Sequence, residues 1–209
     1  MGRTSNADER LMDAALALMW EESYGAVSID DICQRANVKK GSFYYFFESK
    51  SELAVQALER YWVEQQKPAM DEIFSPARPP LERIRAKCEK SYRTQVEIQR
   101  KTGKVLGCRL CCLGSEICTQ DEAIGAKVRQ ILTRQQAYWE RAISDAQAEG
   151  SIPPGDAGAR ARCAIAFFEG LVAQARLHND AEILRDLPDL MIDHLRAAWV
   201  SPSESAAGA

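Results

Sequence analysis

The chain has no long hydrophobic run: about 18 consecutive apolar residues are needed to span a bilayer, and no stretch of its 209 residues reaches that length. Its first ten residues, MGRTSNADER, also lack the apolar segment of a signal peptide. These absences predict no membrane partner and a cytoplasmic location, where thiols stay reduced. The sequence has no nucleophile elbow, phosphate-binding loop, metal-ligand pair or closely spaced carboxylate pair. We therefore predict no enzyme and no cofactor, and we assign no metal-binding residues.

The chain also has no excess of positive charge, with 27 Lys and Arg against 30 Asp and Glu, a net charge of −3 and a pI of about 5.6. Residues 1–53 alone hold six basic and nine acidic residues. This balance argues against a DNA-binding protein, because phosphates attract cations. Positive charge is nevertheless concentrated locally, at Arg35, Lys39, Lys40 and Lys50. Since attraction to phosphate is short-ranged at cellular salt, such a cluster is sufficient for binding if the acids point away.

Residues 27–53, VSIDDICQRANVKKGSFYYFFESKSEL, predict two short helices joined by a tight corner and followed by a third helix. Ser28 and Asp31 have the spacing of an N-cap arrangement at the start of the first helix. Asn37 closes that helix, because Asn is the commonest residue other than Gly to accept a positive φ. Two helices and a corner of this length are the outline of a DNA-reading helix-turn-helix.

The second helix of this motif has the composition expected of a helix that reads a DNA groove. It offers ammonium groups, a small residue for close approach, a hydroxyl and two phenols. These groups bond phosphate oxygens and base edges. The residues concerned are Lys39, Lys40, Gly41, Ser42, Tyr44 and Tyr45.

Residues 28–50, together with Ala14, Ala15, Leu18, Tyr24 and Leu53, resemble the N-terminal domain of TetR/AcrR-type transcriptional regulators over about residues 10–58. The resemblance implies three DNA-binding helices, followed by a larger helical domain that binds a small molecule and dimerises. It also implies that certain side chains lie near DNA phosphates or bases. These are Ser28, Lys40, Gly41, Ser42, Tyr45 and Lys50.

We therefore predict an all-α protein with a three-helix DNA-binding domain at 1–53 and a ligand-binding and dimerisation domain at 54–200. A helix over 49–66, beginning with a capping box at Ser49 and Glu52, connects them. The last residues, 201–209, are small and polar and are predicted to be disordered.

Two late segments carry apolar and small residues at helical spacing, which predicts two helices that pack face to face. In a dimer, these helices from both subunits would form a four-helix bundle and would set two recognition helices one turn of DNA apart, on a palindromic operator. The alternative is that the same stripes pack within one chain. The predicted dimer interface consists of Ala166, Phe167, Gly170, Leu187, Leu190, Met191, Leu195 and Trp199.

Seven cysteines are many for a reduced chain of this length, and four of them are close in sequence: Cys108, Cys111, Cys112 and Cys118. Three interpretations remain open. The cysteines are small core residues, or they include a reactive thiol that senses oxidants or electrophiles, or they form a soft-metal site. The metal interpretation lacks partners, because the only histidines are His178 and His194.

A second, shorter resemblance favours the thiol interpretation. Gly107-Cys108 with residues 113–117, and residues 168–177, resemble a subgroup of these regulators in which a glycine–cysteine step opens a helix of the ligand domain. The resemblance implies sensing at Cys108 and a guanidinium at Arg176 that activates the thiol or holds an anionic ligand. Residues proposed to line a pocket, with core packing as the alternative, are Trp62, Tyr92, Trp139 and Phe168.

The sequence thus predicts a homodimeric, ligand-responsive transcriptional regulator, in which a small-molecule effector or an electrophile releases a repressor from double-stranded DNA. Within this class, the alternative is a thiol-based sensor that acts through Cys108. Outside it, the alternative is a protein-interaction module with a degenerate helix-turn-helix, which only the acidic charge balance supports.

Overall fold

The computed structural model describes residues 6–197, and within them every regular element is helical. This confirms the predicted all-α class. The segment predicted to be disordered, 201–209, and the predicted interface residue Trp199 lie outside the described residues. None of the helices described combines the length and the apolar character that a membrane span requires.

Ten α-helices lie within the described residues: α1 Ala7–Glu21, α2 Ile29–Ala36, α3 Lys40–Phe46, α4 Lys50–Tyr61, α5 Lys67–Ile73, α6 Pro80–Thr102, α7 Arg109–Ile117, α8 Glu122–Ala148, α9 Ala157–His178 and α10 Leu187–Arg196. A short 3-10 helix, Ala181–Leu184, precedes α10. The predicted connecting helix 49–66 differs from the observed one in its last turn. Residues Trp62–Gln66 form a π-helical turn, and the N–H of Lys67 bonds the carbonyl of Trp62, five residues back.

The described chain divides into two compact units. The first comprises residues 6–69 with Cys108–Arg134, and the second comprises Met70–Gly107 with residues 135–197. The first unit therefore holds the described part of the predicted DNA-binding domain and, in addition, α7 and the beginning of α8. This division does not follow the predicted boundary after residue 53, which stays a prediction.

In the first unit, α1 packs against α2, α3, α4 and α7. The apolar residues that recur at helical spacing in the sequence form its core, so that the short helices α2 and α3 are held by packing and not by their own length. Replacing a fully buried core aromatic such as Phe43 by Ala would cost about 3–5 kcal/mol. The largest side chains that are fully buried there are Leu11, Ile32, Phe43, Leu53, Leu58, Leu110, Ile124 and Ile131.

In the second unit, α10 packs against α6 and α9, and the 3-10 helix packs against α6 and α9 as well. Three residues predicted for the dimer interface, Leu187, Met191 and Leu195, are each 0% exposed in this unit. Their periodicity indicated a buried face but not which partner buries it, and here the partner is the same chain. We therefore remove these three residues from the predicted interface.

Candidate DNA interface and effector region

Helix α2 begins with the cap that the sequence predicts. The backbone N–H of Asp31 donates to Ser28 Oγ at 3.1 Å, and the backbone N–H of Ser28 donates to Asp31 Oδ2 at 2.9 Å. The Ser28 hydroxyl also donates to the same carboxylate at 2.5 Å. These hydrogen bonds, the one from the hydroxyl first, lower the pKa of Asp31. The start of the helix-turn-helix is therefore fixed by its own side chains.

The corner between α2 and α3 is also as predicted. Asn37 adopts the left-handed conformation, with φ 52° and ψ 51°, and its backbone N–H bonds to carbonyls of the last turn of α2. Arg10 of α1 donates from Nη1 to the carbonyl of Ala36 at 3.2 Å. Residue 37 thus reverses the chain, and α1 holds the reversal in place.

Helix α3 is attached by one side and exposed on the other. Phe43 is fully buried, and Phe47, directly after the helix, is 2% exposed. On the opposite side, Tyr44 is 56% and Tyr45 82% exposed, so the phenols face outward. A Cβ added at Gly41 would meet no atom within 4 Å. The outer edge of α3 therefore has room for a close partner.

The cations near α3 are mostly paired with acids of the same unit. Lys40 Nζ lies 2.8 Å from Asp30 Oδ1, which raises the pKa of Lys40, and Arg35 lies 3.3 Å from Glu21. Both pairs are exposed, so each contributes little to stability and is easily broken. Lys39 is exposed and makes no ion pair with any residue of 6–197. The acids thus accompany the basic cluster, whereas the sequence argument required them to point away.

Lys50 has a different position from the one that the resemblance implied. Its ammonium donates to the carbonyls of Tyr24 and Val27, both at 2.8 Å, and lies 4.1 Å from the centroid of the Tyr24 ring. Burial lowers the pKa of Lys50. The ammonium therefore closes the loop between α1 and α2, and its contact with phosphate stays a prediction.

Helix α7 holds the same loop from its other side. The carboxylate of Glu116 accepts from the backbone N–H of Tyr24 at 2.9 Å and from that of Gly25 at 2.7 Å. Near the beginning of α7, the guanidinium of Arg109 lies 4.1 Å from the ring centroid of Trp20 and 5.0 Å from that of Tyr61. Sequence alone does not reveal this role of Glu116, because no local pattern identifies a partner more than 90 residues away.

The cysteines of α7 are all half-buried thiols, in contrast to the two cysteines of the core. Cys33 and Cys88 are buried, and burial raises the pKa of Cys88 to about 12 and also raises that of Cys33. The half-buried group comprises Cys108, Cys111, Cys112 and Cys118. Cys108 is the N-cap residue of α7 and makes no side-chain capping hydrogen bond. Exposure and position thus separate the core thiols from those with access to reagents.

The residue before Cys108 is held by a buried amide that sequence reasoning missed. Gly107 has φ 71°, and it exchanges two hydrogen bonds with the side chain of Gln95, which is 4% exposed. Arg176, predicted to act on a ligand, donates from Nη1 to the carbonyl of Leu106 at 3.0 Å. The sequence shows only a Gln within a predicted helix and a Gly before another. Nothing in it indicates that Gln95 and Gly107 bond to each other.

The predicted pocket aromatics fall into both units. Trp62 is 4% exposed in the first unit, and the Arg134 guanidinium lies 5.9 Å from its ring centroid. In the second unit, the rings of Trp139 and Phe168 are buried with centroids 5.7 Å apart. The hydroxyl of Tyr92 lies 3.2 Å from both carboxylate oxygens of Glu182.

A cation accompanies the aromatic pair of the second unit: Lys87 Nζ lies 4.9 Å from the centroid of Phe168. Both rings are buried, which fits the core-packing alternative, and their contact with an effector stays a prediction. Trp139 and Phe168 are the predicted effector residues that the structure brings into contact.

The remaining predicted interface residues lie on an exposed stripe of α9 and α10. Ala166 and Gly170 are exposed, and Leu190 is 46% exposed. Phe167 is half-buried, and its ring stacks on that of His194 with centroids 5.2 Å apart. The same stripe contains Leu177, which at 77% is among the most exposed large hydrophobic residues. The stripe is apolar and small, as close helix packing requires.

An all-α fold with an outward-facing second helix after a left-handed corner defines the class of helix-turn-helix DNA-binding regulators. The family described as "Bacterial regulatory proteins, tetR family" matches residues 11–57, and "Tetracyclin repressor-like, C-terminal domain" matches residues 80–189. The chain belongs to the TetR family. It is a transcriptional regulator and not an enzyme.

Individual relatives agree with this assignment. The transcriptional regulator AcuR of Cereibacter sphaeroides is 27% identical over 174 residues, which cover 83% of this chain and 78% of AcuR. The transcriptional repressor DhaR of a Mycobacterium species is 23% identical over 177 residues, covering 84% and 85% of the two chains. The crystal structure of a regulatory protein TetR from Rhodobacter sphaeroides superposes with a TM-score of 0.79 at 26% identity, over 91% of this chain and 99% of that one.

Proposed function

We propose that the chain is a homodimeric repressor that binds a palindromic operator through α3 and releases it when a small-molecule effector binds. The observation that carries the proposal is the exposed edge of α3, where Tyr45 is 82% exposed beside the open Gly41. The ring of Tyr45 packs edge-on against that of Phe46, with centroids 4.8 Å apart, and a DNA backbone supplies hydrogen-bond acceptors for its exposed hydroxyl. The proposed contacts are Ser28, Lys39, Lys40, Gly41, Ser42, Tyr44 and Tyr45.

Dimerisation is proposed through the exposed stripe of α9 and α10, with Ala166, Phe167, Gly170 and Leu190 as its centre. An isologous contact of these helices would bring two copies of α3 to about 34–36 Å from each other, the spacing of successive major grooves. DhaR is named a repressor, which supports the negative sign of regulation. Because its proposed partner is chromosomal DNA, we place the action of the protein in the cytoplasm.

The effector is proposed to bind in the second unit, beside Trp139 and Phe168. Two aromatic faces with the ammonium of Lys87 favour a small molecule that combines an apolar body with a negative or polar group. The proposed release is a population shift: the effector favours a conformation in which the two α3 helices no longer fit successive grooves.

DNA recognition can be tested with a duplex selected from a randomised pool by the reduced protein. Tyr45→Ala should weaken binding to that duplex at least about tenfold, measured by fluorescence anisotropy. The matched control is Val63→Ala, since Val63 is 52% exposed in the same unit but lies outside α3. Affinity should also fall steeply as salt rises. Failure to enrich any sequence from the pool, with folded protein, would contradict the proposal.

Dimerisation can be tested separately by sedimentation. Gly170→Glu places a charge in the proposed interface and should give a monomer at micromolar concentration. Ala148→Glu, an exposed position at the end of α8, carries the same charge as a control and should leave a dimer. A monomeric parent protein at that concentration would contradict the proposed dimer.

A second way of release is favoured by one observation, the half-buried thiol of Cys108 at the start of α7. Under this proposal an electrophile alkylates Cys108 and lowers operator affinity. N-ethylmaleimide should then release the duplex from the parent protein and not from Cys108→Ser. Equal release from both proteins would contradict it.

A further inference from the structure

We propose that Cys108 and Cys111 form a two-thiol modification site, which a hydroperoxide closes into an intramolecular disulfide and so lowers operator affinity. The chemical part concerns only the two sulfurs. The part that concerns operator affinity rests on the proposed function. The product of this site is a disulfide between Cys108 and Cys111, which contains no atom of the reagent. Alkylation of Cys108 alone, by contrast, leaves the electrophile attached to the sulfur.

The two cysteines occupy helix positions whose side chains meet. Cys108 is the N-cap residue of α7 and Cys111 is the third residue of the helix. Ser28 and Asp31 hold the same two positions in α2, where their side-chain oxygens lie 2.5 Å from each other. In α7 the two Sγ atoms lie within 4.8 Å of one another. Rotation about the side-chain bonds can bring them to the roughly 2.05 Å of a disulfide.

The environment distinguishes these two thiols from the buried ones, Cys33 and Cys88, and their spacing distinguishes them from the other half-buried cysteines. The thiolate is the reactive species, and burial holds the pKa of Cys88 at about 12, so that this thiol stays protonated and inaccessible. Cys108 and Cys111 are half-buried and so are reached by a small peroxide. Gly107, held by the buried amide of Gln95, fixes the peptide that leads into Cys108. The site is therefore accessible and its backbone is anchored.

The reaction balances in two steps. The thiolate of one cysteine attacks the outer oxygen of the hydroperoxide and becomes a sulfenic acid, and the O–O bond breaks to release an alcohol or water. The second thiol then attacks the sulfenic sulfur, forming the S–S bond and releasing water. Two electrons and two protons leave the cysteines in total, and the hydroperoxide accepts them.

The connection to DNA runs through the residue between the cysteines. Arg109 lies within the Cys108–Cys111 loop, and its guanidinium contacts the rings of Trp20 in α1 and Tyr61 in α4. Joining the two sulfurs places a covalent constraint on the first turn of α7, which carries Arg109. Glu116, at the other end of α7, bonds the loop before α2. A change at the first turn of α7 thus reaches the helix-turn-helix through contacts within one compact unit.

The site can be tested on the full-length protein with tert-butyl hydroperoxide under anaerobic conditions. Closure should lower the intact mass by about 2 Da, whereas a lone sulfenic acid would raise it by about 16 Da. Trypsin cleaves after Lys104, Arg109 and Lys127, so a disulfide joins peptide 105–109 to peptide 110–127. Fragmentation of the joined peptides should identify Cys111 as the partner of Cys108.

Three variants decide the assignment. The joined peptides should disappear in Cys108→Ser and in Cys111→Ser and should persist in Cys118→Ser, which removes another half-buried thiol of the same segment. Circular dichroism checks that each variant folds. Persistence of the joined peptides in Cys111→Ser, through Cys112, would overturn the proposed pair. So would the absence of any joined peptide from the oxidised parent protein.

The effect on DNA is measured with the selected duplex before and after oxidation. We expect operator affinity to fall at least about fivefold on closure and to recover with dithiothreitol. Unchanged affinity of the disulfide form would overturn the regulatory part. A reduced protein that selects no duplex would contradict the proposed function instead, and the peptide assay would still decide the chemistry.

Discussion

Helices α2 and α7 lie in the same compact unit and both begin with an N-cap residue and a third residue whose side chains meet, but the chemistry at these positions differs. In α2 a hydroxyl and a carboxylate satisfy the backbone N–H groups of the first turn. In α7 two sulfurs take these positions, and Cys108 makes no capping hydrogen bond. Ser28 and Asp31 therefore fix the start of α2. Cys108 and Cys111 do not cap α7, so other contacts must hold its first turn.

What fixes α7 is its set of contacts with the DNA-binding helices. Arg109 contacts rings of α1 and α4, and Glu116 accepts from two backbone N–H groups between α1 and α2. Helix α2, by contrast, is held by its own cap and by the corner at Asn37. The comparison teaches that both ends of α2, the first helix of the reading head α2–α3, are set by contacts local in sequence, whereas the contacts of α7 reach α1, α4 and the loop before α2.

The largest effect on operator affinity should come from a change in the exposed edge of α3. Gly41→Glu places a carboxylate at the open edge of α3, and in a dimer it does so at both half-sites. We expect an operator affinity about a hundredfold lower than in Gly41→Gln, which has the same shape without the charge. Thermal unfolding should be the same in both variants, because the added Cβ meets no atom within 4 Å. Equal affinities of the two variants would place the DNA elsewhere.

The next effect tests whether α7 supports the loop before α2. Glu116→Gln replaces an acceptor of two backbone N–H groups by an amide whose nitrogen cannot accept, and should lower the free energy of unfolding by about 1–3 kcal/mol. Chemical denaturation measures it. The control is Glu122→Gln, whose carboxylate is paired with Arg129 but is 82% exposed, and which should change stability little. A Glu116 variant as stable as the control would remove α7 from the support of this loop.

A smaller effect on duplex affinity is expected from the ion pair between Asp30 and Lys40. Asp30→Asn removes the acid that pairs with Lys40. Because the Lys40 ammonium then binds phosphate without first breaking this ion pair, binding to the selected duplex should be about threefold stronger. Glu22→Gln, an exposed acid after α1 with no ion pair among the described residues, serves as the control. Both variants remove one negative charge, so only a difference between them supports the specific pair. Weaker binding by the Asp30 variant would contradict the prediction.

The smallest effect concerns the α2 cap. Hydrogen bonds from Ser28 lower the pKa of Asp31 from its ordinary value of 3.8 in the folded protein. Because the folded pKa is the lower one, this contribution to stability is present above pH 3.8 and is lost as the pH falls through the folded pKa. A carboxyl NMR titration should give a higher midpoint for Asp31 in Ser28→Ala than in the parent protein. Coincident midpoints would mean that the cap does not act on this carboxyl.

Features that depend on residues close in sequence were predicted correctly. The cap at Ser28, the positive φ at Asn37 and the outward phenols of α3 all follow from residues a few positions apart, and the structure has them. The cap at Ser49 is only half as predicted. Ser49 accepts from the N–H of Glu52, but the Glu52 side chain accepts from the N–H of Glu48 in place of that of Ser49.

The errors arise where a partner is distant in sequence. No local pattern revealed that Lys50 closes a loop, because its two carbonyl partners lie 23 and 26 residues earlier. The stripe of Leu187, Met191 and Leu195 correctly indicated burial, yet helical periodicity is the same for a core and for an interface. The amide of Gln95 and the carboxylate of Glu116 act on backbone groups, which carry no side-chain signal in the sequence.

The ion pairs beside α3 have a consequence for how such a repressor searches a genome. Sliding on unrelated sequence depends almost wholly on cations that neutralise phosphates, and the number of competing sites is very large. A head that keeps Lys40 and Arg35 on its own acids spends less time on those sites. Under the proposed contacts, a target whose bases also engage the outer edge of α3 binds through interactions beyond phosphate neutralisation, so its complex loses a smaller share of its binding free energy when these pairs separate.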